Sequence, residues 1–318
     1  MQAIGIDLGG TNIKSALVDY HKGIVKQFSI PTEAEKGVDH IFNQLGKVIE
    51  EAAGYASDDV VGVGVGSPGV ISLDRKTVSY PPNFPGWEVE PFTDRIYELT
   101  GMASRVENDA NLAALGSSRY GVGQSFDSMI MLTLGTGVGG GIIFNRELYR
   151  GSTGAAAELG HVIIDYNGPS SNSNAKGGIE AYLGQKFLCR NAVEKIRQYP
   201  DNPLYLNFRD DFTRLEPLDI YLEAKQQNEL AIEILSEAGR MLGYAIVNYI
   251  HILDITNIVV GGGVARAGDY ILEPARKAAW ERLLPGFREN YNITYEKLGN
   301  DAALLGAASL AFETFGEQ

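Results

Sequence analysis

The sequence contains little that would cross-link the chain or carry it into a membrane. Its 318 residues include a single cysteine, Cys189, which excludes an intrachain disulfide and favours a reducing compartment. Long apolar runs are missing, and the first residues lack the basic and apolar regions of a signal peptide. We therefore expect a cytoplasmic protein that has no membrane-spanning segment and no membrane partner.

Positive charge is also scarce. The 27 lysines and arginines are outnumbered by 40 aspartates and glutamates, which gives a formal net charge of −13. A net acidic chain is a poor partner for nucleic acid or anionic lipid, so we expect neither. Such a chain can still bind a polyphosphate where backbone N–H groups and Mg²⁺ offset the repulsion.

Glycine, by contrast, is abundant, with 38 residues in 318. Predicted strands and helices alternate along the chain, which indicates an α/β fold. Each half opens with a strand, a glycine turn and a second strand, so a duplication is suggested. At ~150 residues per domain the length predicts about two domains. We place them at 1–120, joined by a C-terminal helix of about 300–318, and at 121–299.

The first glycine turn follows the first predicted strand. It reads Asp7-Leu8-Gly9-Gly10-Thr11. Glycine lets the backbone adopt positive φ and approach a ligand closely, and successive N–H groups form a concavity that binds anions. The Asp7 carboxylate is suited to hold Mg²⁺ through water. A tight hairpin without any ligand would use the same residues, so both interpretations stay open.

Two further glycine turns follow buried strands. The stretch from Gly135 to Gly141 matches G-x-G-x-x-G, but the residues after it form a strand, whereas a dinucleotide site requires a helix there. A second phosphate turn and a merely flexible turn remain as alternatives. Gly261-Gly262-Gly263 either lets a base or ribose pack on bare backbone or only connects a strand to a helix. The P-loop motif is absent from the sequence.

Polar residues cluster between a predicted strand and a predicted helix, in Glu107-Asn108-Asp109-Ala110-Asn111. Asp109 is placed either to cap the helix or to accept a hydroxyl proton during phosphoryl transfer. Asn108 is able to hydrogen-bond vicinal hydroxyls. Further polar groups follow at Glu158, His161 and Glu180, the first two spaced by three residues so that one bend aims both at one ligand.

Together these segments resemble the ROK family of sugar kinases and repressors, which belongs to the actin-like, ribonuclease H-like ATPase superfamily. The resemblance runs along nearly the whole chain through six motifs in order, at residues 7–14, 66–69, 82–87, 107–111, 134–141 and 301–308. It implies a duplicated α/β fold with two domains and a central cleft. It also implies transfer of the γ-phosphoryl group of ATP, with Mg²⁺, to a hexose, most often at O6.

The same resemblance assigns roles to individual residues, with Asp109 as the general base. The sugar hydroxyls would be bound by Asn83, Asn108, Asp109, Glu158, His161 and Glu180. The nucleotide would be bound by Asp7, Gly9, Gly10, Thr11, Lys14, Gly135, Thr136, Gly137, Gly262 and Gly263. Asp7 would also hold Mg²⁺ through water, and Gly262 and Gly263 would lie near the adenosine.

One stretch departs from the family pattern. Many members bind zinc through the histidine that matches His161 and three cysteines, but here Ser171, Ser173 and Gly178 stand where cysteines would be. Serine is a poor zinc ligand at neutral pH, and glycine has no ligand atom. We predict that there is no structural zinc and that His161 needs another partner.

The segment from Asn83 to Trp87 has a glucokinase-like form, which favours glucose as the substrate and glucose 6-phosphate as the product. An N-acetylhexosamine or another hexose remains an alternative. A non-catalytic sugar-binding regulator or repressor is disfavoured. Family repressors carry a helix-turn-helix domain before the first motif, and here that motif begins at Asp7. The resemblance also implies a homo-oligomer, a dimer or tetramer.

Overall fold

The computed structural model describes residues 1–172 and 176–316. The chain forms two compact units, and it passes between them several times. The first unit comprises residues 1–128, 141–157 and the chain from Leu298 onward, and the second comprises residues 129–140 and 158–297.

The strands and helices alternate as the sequence predicts. The strands are β1 (Gln2–Leu8), β2 (Asn12–Asp19), β3 (Gly23–Pro31), β4 (Val60–Ser67), β5 (Val70–Ile71), β6 (Val78–Ser79), β7 (Val89–Glu90), β8 (Ser104–Asn108), β9 (Met129–Leu134), β10 (Val138–Phe144), β11 (Glu147–Leu148), β12 (Asn257–Gly261) and β13 (Asn292–Tyr295). The α-helices are α1 (Val38–Ala53), α2 (Phe92–Thr100), α3 (Asp109–Tyr120), α4 (Glu180–Leu183), α5 (Gln185–Ile196), α6 (Pro203–Phe208), α7 (Pro217–Lys225), α8 (Glu229–Leu253), α9 (Asp269–Arg282), α10 (Pro285–Arg288) and α11 (Asp301–Phe315). Short 3₁₀ helices occur at Ala34–Lys36, Val122–Ser125, Leu159–His161, Phe212–Arg214 and Val264–Ala267.

The sheet of the first unit has the strand order β3-β2-β1-β4-β8. β1 pairs antiparallel with β2 and parallel with β4, and β4 is parallel to β8. The register places Asp7 opposite Gly66, and Gly66 opposite Glu107. Because parallel strands end at the same edge of a sheet, the first glycine turn and the start of α3 lie at one edge.

Helix α11 lies directly on the backbone of this sheet. A Cβ built on Gly5 would lie 2.1 Å from the Leu304 carbonyl oxygen, and one built on Gly64 would lie 1.7 Å from that of Ala307. The small residues of this helix pack against Ala3 and Ala16 of the sheet. Glycine is therefore required where the helix meets the strands, because any side chain would separate them.

The second five-stranded sheet has the order β11-β10-β9-β12-β13. Numbered from its own first strand, this is the same order as in the first sheet, and again the last two pairings, β9 with β12 and β12 with β13, are parallel. The repeated order agrees with the duplicated α/β fold that the sequence predicts. In the part of the chain that the structure describes, no helix is long and apolar enough to cross a membrane.

Candidate functional site

The first glycine turn is held at both ends by Thr32, a buried residue directly after β3. The Thr32 N–H group donates to the Thr11 carbonyl at 2.9 Å, and its Oγ1 donates to the Gly9 carbonyl at 2.6 Å. Within the turn, the Gly9 N–H group donates to the Asn12 carbonyl at 3.1 Å. These bonds fix the loop while Gly10 and Thr11 stay exposed to solvent. Sequence reasoning did not find Thr32.

Asp7 and Lys14 lie opposite each other on β1 and β2, beside this turn. The pKa of Asp7 is raised, mainly by burial and further by the nearby Asp109 carboxylate, while Lys14 opposes the shift. A half-buried carboxylate at the end of a strand has the oxygen ligands that Mg²⁺ prefers, and Mg²⁺ commonly keeps several of its waters. The chemistry of Asp7 therefore fits a water-mediated magnesium ion.

Helix α3 begins at Asp109, and its cap is the preceding residue. The Oδ1 atom of Asn108 accepts hydrogen bonds from the N–H groups of Ala110 at 2.9 Å and Asn111 at 3.2 Å. The capping role that the sequence left open for Asp109 is thus filled mainly by Asn108. The cap uses the side-chain oxygen of Asn108 and not its N–H₂ group. One oxygen of Asp109 accepts the Ala110 N–H at 2.8 Å.

Burial raises the pKa of Asp109, and the hydrogen bond from the Ala110 N–H offsets part of that shift. The cause is that a carboxylate loses its solvation when it is moved away from water. A carboxylate with a raised pKa is a stronger base, which suits it to accept a proton from an alcohol.

The loop between β6 and β7 presents Asn83 beside the first glycine turn. Phe84 and Trp87 anchor this loop in the core, and the Trp87 indole N–H donates to the Val78 carbonyl at 3.2 Å. Asn83 itself is exposed and has a left-handed backbone, with φ of 69°. A Cβ built on Gly10 would lie 3.4 Å from the Asn83 Cβ. The first unit therefore brings two predicted elements, one for sugar and one for phosphate, into contact.

In the second unit, the glycine turn after β9 is held by the segment at the start of α4 and α5. The Gln185 N–H group donates to the Gly135 carbonyl at 2.9 Å, and the Glu180 Oε2 atom accepts the Val138 N–H at 3.2 Å. A Cβ built on Gly137 would lie 2.4 Å from the same Glu180 oxygen. Glu180, which the family resemblance assigns to the sugar, thus also contacts the predicted phosphate turn.

Glu158 and His161 lie at the ends of one short 3₁₀ turn in the second unit. Both side chains are exposed, and His161 Nε2 is 3.7 Å from Glu158 Oε2. The turn packs against the second glycine turn, since a Cβ built on Gly160 would lie 1.9 Å from the Val138 carbonyl oxygen. The second unit therefore gathers Glu158, His161 and Glu180 around one backbone turn.

The third glycine turn also lies against the second. Gly262 has φ of 93°, and a Cβ built on it would lie 2.3 Å from the Leu134 carbonyl oxygen, directly before Gly135. Gly263 is exposed. Beside the second turn is a cavity of about 760 Å³, whose lining includes Thr136, Gln185, Cys189, Phe212, Leu215 and Glu216. Apolar walls with a few polar groups are typical of a site for a small molecule.

The segment that departs from the family's zinc pattern is held by hydrogen bonds. The carbonyl of Asp165 accepts the Gly168 N–H at 2.9 Å, and its carboxylate accepts the Tyr182 hydroxyl at 3.3 Å. Among residues 1–172 and 176–316, no group of three or more His, Cys, Asp or Glu is placed to hold a metal ion. Ser173 lies outside the described residues. Gly178 has no ligand atom and Ser171 is a poor zinc ligand, so the absence of a structural zinc ion stays a prediction.

Comparison with known proteins gives consistent matches along the chain. The model of the ROK family matches residues 3–314. A glucokinase from Thermotoga maritima is 33% identical over 316 residues, which cover 99% of each chain. A crystal structure of a ROK family glucokinase from Streptomyces griseus, in complex with glucose and AMPPNP, is 33% identical with a TM-score of 0.83, covering 98% of this chain and 100% of that one. A xylose repressor from Bacillus subtilis is 26% identical, and the match covers 98% of this chain but 77% of the repressor.

Proposed function

Because the chain belongs to the ROK family, we propose that it transfers the γ-phosphoryl group of ATP to a hexose, with glucose as the preferred acceptor. The observation that carries this proposal is the environment of Asp109. Its carboxylate has a pKa raised by burial, and it follows the end of β8 at the same sheet edge as the first glycine turn. A base near a phosphate turn is the arrangement that phosphoryl transfer to an alcohol requires.

Asp109 accepts the proton of the attacking sugar hydroxyl while the oxygen of that hydroxyl bonds to the γ-phosphorus. The bond from that phosphorus to the bridging oxygen of ADP breaks, and ADP leaves with the electron pair. Within the first unit, Asn83 and the amide N–H₂ group of Asn108 orient the sugar. Asp7 would hold Mg²⁺ through water, and the ion would neutralise part of the phosphate charge.

The second unit carries its own predicted groups, which the family resemblance assigns to the sugar and the nucleotide. Glu158, His161 and Glu180 accept or donate hydrogen bonds to sugar hydroxyls. The N–H groups of the turn from Gly135 to Gly137, with the Thr136 hydroxyl, bind phosphate oxygens. We place the adenosine in the cavity of about 760 Å³ that is lined by Thr136. The turn at Gly262 and Gly263 packs against Leu134, two residues before Thr136.

The glucokinase relatives and the glucose-bound structural neighbour support glucose rather than another hexose. Discrimination among hexoses depends on few contacts, because one pocket contact is worth only ~1–3 kcal/mol. The choice of sugar is therefore the part of the proposal that needs a direct comparison of substrates.

A coupled assay of ADP release tests both parts. ATP and Mg²⁺ are held constant while glucose, mannose, fructose, allose, N-acetylglucosamine and N-acetylmannosamine are compared, with a reaction lacking sugar as the control. We expect the highest kcat/KM with glucose. A higher value for an N-acetylhexosamine would contradict the choice of glucose, and no sugar-dependent ADP release would contradict the kinase itself.

The phosphate turns have their own test. Thr11→Ala and Thr136→Ala should each raise the KM for ATP, because each removes the hydroxyl of an exposed residue that we assign to phosphate binding at a glycine turn. If either substitution raised only the KM for the sugar, the corresponding turn would not bind phosphate.

A further inference from the structure

Glu107 is a fully buried carboxylate directly before the two site residues of the first unit, Asn108 and Asp109. Its side chain is 0% exposed. A buried charge is strongly destabilising unless it is paired and hydrogen-bonded. The partners of Glu107 therefore indicate what this residue does.

Each carboxylate oxygen of Glu107 has two partners. Oε1 accepts the Asn108 backbone N–H at 2.9 Å and the Asn111 side-chain N–H₂ at 3.2 Å. Oε2 accepts the Arg75 Nε–H at 3.0 Å and forms an ion pair with Arg150 Nε at 2.6 Å. One oxygen thus holds the start of α3, and the other holds two arginines.

The two arginines come from separate loops. Arg75 lies in the turn between β5 and β6, with a left-handed backbone at φ of 61°, and its carbonyl accepts the Val106 N–H at 3.1 Å. Arg150 follows β11, and its guanidinium donates to the carbonyls of Leu73 at 2.6 Å and Ser72 at 3.0 Å. The strained backbone of Arg75 is consistent with a conformation that its contacts impose.

We infer that Glu107 is a positioning residue for the phosphoryl transfer. Its negative charge, clamped by Arg75 and Arg150, fixes the backbone of Asn108 and the side chain of Asn111, so that the Asp109 carboxylate is held where the sugar hydroxyl binds. This inference rests on the proposed kinase function. A displacement of about 1 Å at a reacting group can reduce the rate ~100-fold, so a clamp at this place has a measurable effect.

Glu107→Gln tests the clamp, because it keeps the shape of the side chain but removes its charge. We expect kcat with glucose to fall by roughly 10- to 100-fold. The KM for ATP should change by less than about 3-fold. A misplaced base weakens an interaction that forms only in the transition state, and the loss of such an interaction lowers kcat without weakening the binding of ATP. The matched control is Glu313→Gln, which removes an exposed partner of Arg119 in the same unit and should leave kcat unchanged.

The order of two variants separates charge from packing. Glu107→Asp retains the charge but is shorter, whereas Glu107→Gln retains the size. If the clamp is electrostatic, the aspartate variant has the higher kcat of the two. If Glu107 only fills space, the glutamine variant is the more active, which would contradict the inference.

Hydrogen exchange provides a readout that does not depend on activity. In Glu107→Gln, the amides of residues 104–112 should lose protection, together with the loops around Arg75 and Arg150, while the Glu313→Gln control keeps it. If Glu107→Gln does not fold, Arg75→Met is used, which leaves the Arg150 pair in place. Unchanged exchange and kcat would overturn the role of Glu107. A wild-type protein without kinase activity would instead overturn the proposed function, and exchange would still decide the clamp.

Discussion

The contact between Gly137 and Glu180 allows the second glycine turn to be perturbed without strain in the backbone. Gly137 does not have a left-handed φ, so alanine is acceptable there as far as the main chain is concerned. The added Cβ would lie 2.4 Å from Glu180 Oε2, and that oxygen must move because real contacts are never so short. Its movement breaks the hydrogen bond from the Val138 N–H.

The size of the effect follows from that bond. A hydrogen bond to a charged group contributes ~1.5–3 kcal/mol, and this one is long, at 3.2 Å, which favours the lower end. If that loss of about 1.5 kcal/mol falls entirely on the binding conformation of the turn, affinity changes by roughly tenfold, which is the upper limit of the effect. Since Val138 belongs to the phosphate turn and Glu180 to the proposed sugar site, Gly137→Ala should raise the KM for both ATP and glucose.

A double-mutant cycle decides whether the Glu180 contact is the cause. The KM values for ATP and glucose are measured by coupled ADP release for Gly137→Ala, Glu180→Ala and the double variant. Once the carboxylate is absent, the added methyl group meets no oxygen, so Gly137→Ala should have no further effect in the Glu180→Ala background. Additive effects of the two substitutions would show that the Glu180 contact is not the cause, because the effects of independent sites add.

Three further outcomes are expected. Gly64→Ala should lower the free energy of unfolding by about 3 kcal/mol or more, because its Cβ would meet the Ala307 carbonyl oxygen at 1.7 Å. The control is Gly286→Ala, whose Cβ meets nothing within 4 Å and which should change the free energy of unfolding by less than ~1 kcal/mol. Urea titration measures both, and equal effects would contradict the close packing of α11. Ala157→Gly should raise the free energy of unfolding by up to ~1 kcal/mol in the same titration, because Ala157 has a left-handed φ of 68° that costs alanine more than glycine, and a loss of stability would count against it. The acidic limb of kcat/KM should lie above the usual range of an aspartate, because burial raises the pKa of Asp109 and activity is lost as protonation removes the base; a limb at or below that range would contradict the assignment.

The order of elements and the place of the motifs could be predicted from the sequence. The glycine turns interrupt β-branched strands, and the same pattern opens each half, which suggests a duplication, whereas the strand order that the two sheets share comes from the structure. The segment at Asn108 and Asp109 could be placed between a strand and a helix, because a predicted strand precedes it and a predicted helix follows it. The sequence left open whether Asp109 caps the helix or accepts a proton, and it did not point to Asn108 as the cap. The structure uses Asn108.

The residues that hold the site could not be predicted because their partners are distant in sequence. Thr32 contacts the turn at Gly9 only through the register of β2 with β3. Glu107 was visible as a carboxylate beside Asp109, but nothing local indicates that Arg75 and Arg150 come to it from 32 residues before and 43 residues after. Buried ion pairs of this kind depend on how loops fold back onto a sheet, and the periodicity of the sequence does not predict that.

The role of Asp109 as the general base is tested most directly by the turnover of Asp109→Asn with glucose and saturating ATP and Mg²⁺. Asparagine retains the size and the hydrogen bond to the Ala110 N–H but cannot accept the hydroxyl proton. We expect that glucose still binds, as measured by calorimetry, and that kcat falls by at least ~100-fold, the usual contribution of a general base. A variant that binds glucose and phosphorylates it at the wild-type rate would contradict the assignment of Asp109 as the base.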